Sequence, residues 1–249
     1  MMWLRTILLI FPILLAACAS KTTVRHTPNY EATLKRKKNV LILPPVAQVY
    51  QVGAFGSKKR VYNYEAEFEA LAAEEAEVDL TERGFNVKVM ARKNLDEAGA
   101  YEAFTHLRNA YESALKELYA QHLWPENKAF NLSKNLGGAA HELSKKTDSD
   151  LIAMVDYEGF VKTNGARTLD FISAAVLGVG AGAAAAESSV ILIGLVDAKT
   201  GNILWTNRVD LQKDLFSAAF SNLSSQKSAD AKKLQKLIDM TFIPLEKGS

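Results

Sequence analysis

Ser189-Val190-Ile191-Leu192-Ile193-Gly194-Leu195-Val196-Asp197-Ala198-Lys199-Thr200-Gly201-Asn202-Ile203-Leu204-Trp205 is a strand, a tight turn and the start of a returning strand. Val190, Leu192 and Val196 fall on one face of the first strand, and Ile191, Ile193 and Leu195 on the other. A strand apolar on both faces is covered on both sides, so it belongs at the centre of a sheet with helices above and below. Asp197 to Asn202 holds the residue types of a reversal, with Gly201 free to take a positive φ. The return, Ile203 to Leu211, alternates: Trp205, Val209 and Leu211 point inward, Thr206, Arg208 and Asp210 outward. The pair reads as an antiparallel hairpin.

Working back along the chain, Leu151 to Lys162 reads as a long strand. Val40-Leu41-Ile42-Leu43 is a short buried strand stopped by Pro44-Pro45, and Gln48 to Lys59, with Gly53 and Gly56, reads as a loop. Val61, Tyr64, Phe68, Leu71, Ala72, Ala76 and Leu80 recur at helical spacing, which predicts a helix from Tyr62 to Arg83 stopped by Gly84. Phe85 to Met90 is a second strand. A helix from Asp96 to His122 carries Phe104, Leu107, Tyr111, Leu115 and Leu118 on its inner stripe. A third helix, capped by Ser133, runs to Lys146, and a last one spans Ala229 to Phe242. The order β-α-β-α-α-β-β-β-α defines a single α/β domain, residues 39–249. Its mixed sheet has about five strands and is flanked by helices.

The other end of the chain points to a compartment. Met1 to Arg5 carries one positive charge, Thr6 to Leu15 is apolar, and Ala16-Ala17-Cys18-Ala19-Ser20 is small. This is the layout of a secretory signal. The apolar run is too short for a membrane span, which needs about 20 residues. Leu15-Ala16-Ala17-Cys18 places the sole cysteine at the cleavage point and resembles the lipobox of bacterial lipoproteins. The resemblance implies removal of residues 1–17, a diacylglyceryl thioether on Cys18 and acylation of its new amine. Several acyl chains are needed for a stable anchor, since one binds only marginally. Ala19, where such lipoproteins carry Asp for inner-membrane retention, implies an outer-membrane anchor facing the periplasm. Residues 18–38 lack apolar periodicity and read as a flexible lipidated tether of about 20 residues, reaching ~25 Å.

Composition narrows the classes. Of 249 residues, 48% are apolar and 23% charged, which excludes a disordered or collagen-like chain. A net charge of +2 provides no broad field for nucleic acid, and one cysteine excludes a disulfide framework or a cysteine metal cluster.

Three stretches together carry a further resemblance: Glu82-Arg83-Gly84-Phe85-Asn86-Val87, Thr147-Asp148-Ser149-Asp150-Leu151-Ile152, and Val196-Asp197-Ala198-Lys199-Thr200-Gly201-Asn202-Ile203-Leu204-Trp205. They resemble the curli-export-lipoprotein-like group, whose domain is similar to the amino-terminal domain of TolB. The likeness runs from Asn39 to Phe242. It implies an interaction or assembly protein, accessory to an envelope export or surface-structure machine. Activation of a peptidoglycan synthase is the alternative. The alternating strands with aromatic girdles that build a membrane barrel do not occur in this sequence.

Candidate chemistry is sparse. Phe171 to Ala186 carries no charge and includes Gly178 and Gly182, one helical turn apart. Those glycines are candidate packing or oligomer contacts, whether with a second copy of the chain or at the membrane surface. The other reading is an internal connection between two strands. Gly178-Val179-Gly180 lacks the third glycine and the lysine of nucleotide loops. The helix from Tyr62 is acidic (Glu65, Glu67, Glu69, Glu74, Glu75, Glu77, Asp79, Glu82) without a histidine, and reads as a solvated face or a surface for a basic partner. His26, His106, His122 and His141 show no ligand spacing. Asp156 and Glu158 share a strand face, which suits acid–base chemistry but is also the ordinary polar side of a strand. The expectation is therefore no enzyme, no cofactor and no metal, with membrane lipid bound through Cys18 and envelope proteins as partners.

Overall fold

Strand β6 (Leu151–Lys162) organises the sheet. This computed structural model describes residues 20–53, 57–119, 134–162, 188–212, 235 and 238–245. One edge of β6 is shared by two short strands in line, both parallel to it. β2 (Asn39–Ile42) pairs with Leu151–Ala153, and β3 (Val46–Val52) with Asp156–Lys162. Between them lie Pro44 and Pro45, which have no N–H to give a ladder. The Leu43 amide still donates to the Ala153 carbonyl. β7 (Ser188–Asp197) runs antiparallel along the other edge, followed by β8 (Ile203–Gln212) and β1 (Ser20–His26). β5 (Asn86–Val89) lies outside β2, and β4 (Lys58–Arg60) folds back on β3. The order is β1-β8-β7-β6-β2-β5, with β3 and β4 beside the second half of β6.

The sheet is thus mixed and flanked by helices, as the sequence predicts, but among the described residues it has eight strands, not about five. The extra strands fall where apolar content is low. Val46 to Val52 alternates, burying Ala47, Val49 and Val52, although glycines and prolines around it resemble loop signals. β4 is three exposed basic residues. β1 occupies most of the expected tether and pairs with β8 over its whole length, from Ser20↔Leu211 to His26↔Trp205. Its β-branched Thr22-Thr23-Val24 suits an edge strand, where only one face needs apolar cover. A short helix, α1 (Tyr30–Leu34), follows and buries Tyr30 and Leu34.

Period-2 alternation divides the core into two layers. Val40, Ile42, Leu151, Ala153, Val155, Ile191, Ile193, Leu195, Trp205 and Val209 face α1 and helix α2 (Tyr62–Glu82). Phe68, Ala72, Ala76 and Leu80, four residues apart, are the buried stripe of α2. Its end is set by Gly84 at φ +90°: the Gly84 amide donates to Thr81 and the Phe85 amide to Leu80, while Leu80 and Phe85 pack in one cluster. That is the Schellman arrangement. Helical residues 238–242 close this layer with Ile238 and Phe242, and Leu245 packs beside them. The rest of the expected last helix, before residue 238, lies outside the described residues apart from position 235.

The other layer holds Leu41, Leu43, Ile152, Met154, Leu192, Val196 and Ile203 under three helices. These are α3 (Asn94–Glu97), α4 (Tyr101–Leu118) and α5 (Gly138–Thr147). The single helix expected from Asp96 to His122 is broken at Gly99, whose φ of +58° ends α3. Phe104, Leu107, Tyr111, Leu115 and Leu118 form the buried stripe of α4, as their spacing predicts. Helix α5 starts at Gly138 and not after the expected cap Ser133, because Asn135 bridges to Asn202 and Gly137 takes φ +78°.

Candidate functional site

Beside the C-terminal half of α4, the sheet face that carries Asp156 opens into a groove of about 370 Å³. Glu112, Leu115 and Lys116 of α4 and the following Tyr119 form its wall. Val46 and Gln48 of β3, Asp156 and Glu158 of β6, Val190 and Leu192 of β7, and Arg208 of β8 form its floor. The volume is at the small end of ligand pockets. Apolar floor residues alternate with charges of both signs, which suits a polar partner segment or small ligand.

Each polar group has a structural reason. Tyr119 packs half-buried against β8 and β1: its hydroxyl meets Thr206 Oγ1 at 2.7 Å and donates to the Thr23 carbonyl at 3.3 Å. The guanidiniums of Arg25 and Arg208 lie 5.7 and 5.8 Å from its ring centroid. Burial pushes the Tyr119 hydroxyl up to about 12, against the Thr206 hydrogen bond and the two arginines. It therefore stays a neutral donor at physiological pH and pins the edge strand to the groove wall. Arg208 is held by Asp210 through three contacts of 2.7–3.0 Å.

Beneath the groove Arg108 pairs with Asp156. The Arg108 side chain is 6% exposed and that of Asp156 21%. Burial raises the Asp156 carboxyl above its usual range, although Arg108 pulls it down. Among the described residues, Asp156 Oδ2, Arg108 Nε and Nη1, and the Tyr111 hydroxyl find no partner. Tyr111 is fully buried, and this raises its hydroxyl well above the ordinary value. A buried arginine–carboxylate pair gains little net stability. Its effect is to hold a half-satisfied carboxylate in the groove floor, with Oδ1 on Arg108 and Oδ2 buried.

Asp156 and Glu158, read from sequence as sharing a face, both line the groove. Thr206, Arg208 and Asp210, read as outward, sit on this same side. Thr206 is fully buried. The acidic face of α2 is not wholly solvated: Glu65 is buried, accepting from the Val49 amide at 3.0 Å and Arg60 at 2.6 Å. Glu69 accepts from the Ala47 amide and meets Arg92. These carboxylates stitch α2 to β3. His106 and His141 are exposed, and His26 packs on Tyr30 at 4.4 Å. Among the described residues no three His, Cys, Asp or Glu side chains converge to hold a metal. Cys18, Gly178, Gly182, the segment 171–186 and His122 lie outside the described residues. Arg108 was missed; its signal was a charge beside Leu107 on an otherwise apolar helix face.

The turn that carries the sequence resemblance is structural. Asp197 Oδ1 accepts from the amides of Lys199 and Thr200, and Oδ2 lies 3.1 Å from Lys37 Nζ. Burial would raise this carboxyl, but the Thr200 amide and Lys37 hold it below its usual value. Gly201 has φ +74°, and a Cβ there would stand 2.8 Å from the Gly137 carbonyl.

No family model and no curated protein matches the sequence. Among solved structures, the chain is similar to two PelC dodecamers from Paraburkholderia phytofirmans, each 11% identical. One of them, a point variant, has a TM-score of 0.43, covering 92% of this chain and 99% of that one. The other has 0.44, with 93% and 100% covered. Lipoprotein GNA1162 from Neisseria meningitidis is also 11% identical, with a TM-score of 0.32 and 83% and 98% covered. At these values the likeness carries neither fold nor role to this chain. Among the described residues, no helix is long and apolar enough to cross a membrane.

Proposed function

We propose that this is a lipid-anchored envelope protein that acts by binding other envelope components rather than by catalysis. It is an accessory to an export or surface-structure machine, and Cys18 is its anchor in the outer membrane. The observation that carries the reading is the start of β1 at Ser20, two residues after Cys18, hydrogen-bonded to the domain from its first residue. An acyl group on Cys18 would hold the whole domain at the bilayer. The groove beside α4 is the surface offered to a partner, and the TolB-like grouping belongs to the same proposal.

Activation of a peptidoglycan synthase is the weaker reading. Activation needs a tether long enough to reach across to the wall, and β1 and α1 take up most of residues 18–38. In-cell photocrosslinking from a probe at Lys116 tests the proposal. The expected result is capture of envelope proteins that disappears when Cys18→Ser releases the chain from membranes. Unchanged membrane fractionation and unchanged capture in Cys18→Ser would contradict it.

A further inference from the structure

We infer that the free edge of β5 is a docking site for an extended segment of another protein, one that carries a carboxylate between two branched apolar side chains. The inference is independent of Cys18 and of the groove beside α4.

Backbone bonds define the edge. The Asn86 amide donates to the Lys38 carbonyl at 2.8 Å, and the Met90 amide to the Ile42 carbonyl at 2.9 Å. Peptide groups alternate sides along a strand, so Asn86, Lys88 and Met90 turn theirs towards β2. Val87 and Val89 turn their amides and carbonyls the other way, where no strand among the described residues pairs with them. These four groups form a short row able to hydrogen-bond an added strand. Residues 83–100, which flank β5 on both sides in the sequence, are all described. β5 lies at the margin of the sheet opposite β1, five strand spacings or about 24 Å away.

The side chains say what the added strand must be. Val87 and Val89 lie on the α2 face and pack, half-buried, against its core layer. Lys88 lies on the other face, in register with Leu41, and is exposed. It is the single charge on β5, and no carboxylate among the described residues pairs with it. The exposed charges beyond the strand are of both signs (Glu82, Lys93, Asp96 and Glu97), so Lys88 itself sets the preference. Side chains directly opposite on neighbouring strands come within about 5.5 Å of one another. A branched apolar residue opposite each valine extends the apolar layer, and a carboxylate opposite Lys88 pairs with it.

A second copy fits badly. Antiparallel pairing of two β5 strands that satisfies all four groups sets Val87 opposite Val89 and Lys88 opposite Lys88. Like charges directly opposite are destabilising. The lysine turns away another copy of the chain and leaves the edge to an acidic strand.

The test uses the full-length chain, as isolated, in mild detergent. The probe is a fluorescein-labelled peptide, Ser-Thr-Val-Glu-Val-Thr-Ser, read by anisotropy. An antiparallel peptide turns its valine amides to β5 and its glutamate amide away, and a parallel one does the reverse. N-methylation of one set should therefore weaken binding by about tenfold or more, and of the other by less than about twofold. Lys88→Glu should weaken this peptide about fivefold and favour the peptide with lysine in place of glutamate. Four results overturn the inference: no saturable binding, equal loss from both methylation patterns, an affinity unchanged in Lys88→Glu, or a dimer of the chain that the peptide dissociates.

Discussion

Two residues that pack against aromatic or charged side chains show how little freedom the core allows. A Cβ on Gly194 would overlap the Tyr111 hydroxyl at the centre of β7. Gly194→Ala should therefore cost ~1–3 kcal/mol of stability, measured by urea denaturation. Tyr111→Phe removes a hydroxyl without a partner among the described residues, so it should be near neutral. The double variant should recover only part of the loss, since the ring Cζ would still stand 2.8 Å from the new Cβ, and an additive double variant would refute the hydroxyl overlap. Arg108→Met leaves Asp156 with a low-dielectric side and no cation, and should cost ~3 kcal/mol. Since Asp156 already favours protonation through burial, that loss should shrink as the pH falls through its raised value.

At the scale of elements, two carboxylate groups act in opposite senses. Burial raises Glu75, Asp79 and Asp239, and Asp239 adds repulsion to the other two. A raised carboxyl costs stability when ionised. That cost is full above the folded value and disappears as pH falls to the ordinary carboxylate range, near ~4. Asp239→Asn should thus stabilise at neutral pH by a few tenths of a kcal/mol after solvent screening, and not at pH ~4. Asp197 is lowered, so its stabilisation is present above its ordinary value and lost as pH falls through the folded one. Asp197→Asn should weaken the protein at pH 7 and match the wild type in strong acid. Denaturation at the two pH values checks both.

The strands also show what a sequence can reveal. β6, β7 and β8 were legible to within a residue because each is a long apolar or alternating run. β1 was not, since Ser20 to His26 has one apolar residue, Val24, and an edge strand needs no more. β3 and β4 were hidden by prolines and glycines that mark the breaks around them rather than a loop. Asp156 and Glu158 were legible as a pair on one face. The groove itself was not, because its walls come from α4 and four strands whose order no local pattern records.

For the whole molecule, the consequence of β1 is position. A flexible segment of about 20 residues would let the domain drift ~25 Å from its anchor. A strand paired along its length to β8, pinned by Tyr119, gives no such freedom. Arg25 is 4% exposed, so trypsin should spare it in the native protein, whereas a free tether would be cut there at once. Neutron reflectometry of the lipidated protein on a supported bilayer tests the central claim most directly. The account predicts protein density continuous with the headgroups, and a solvent layer of about 25 Å between headgroups and domain would contradict it.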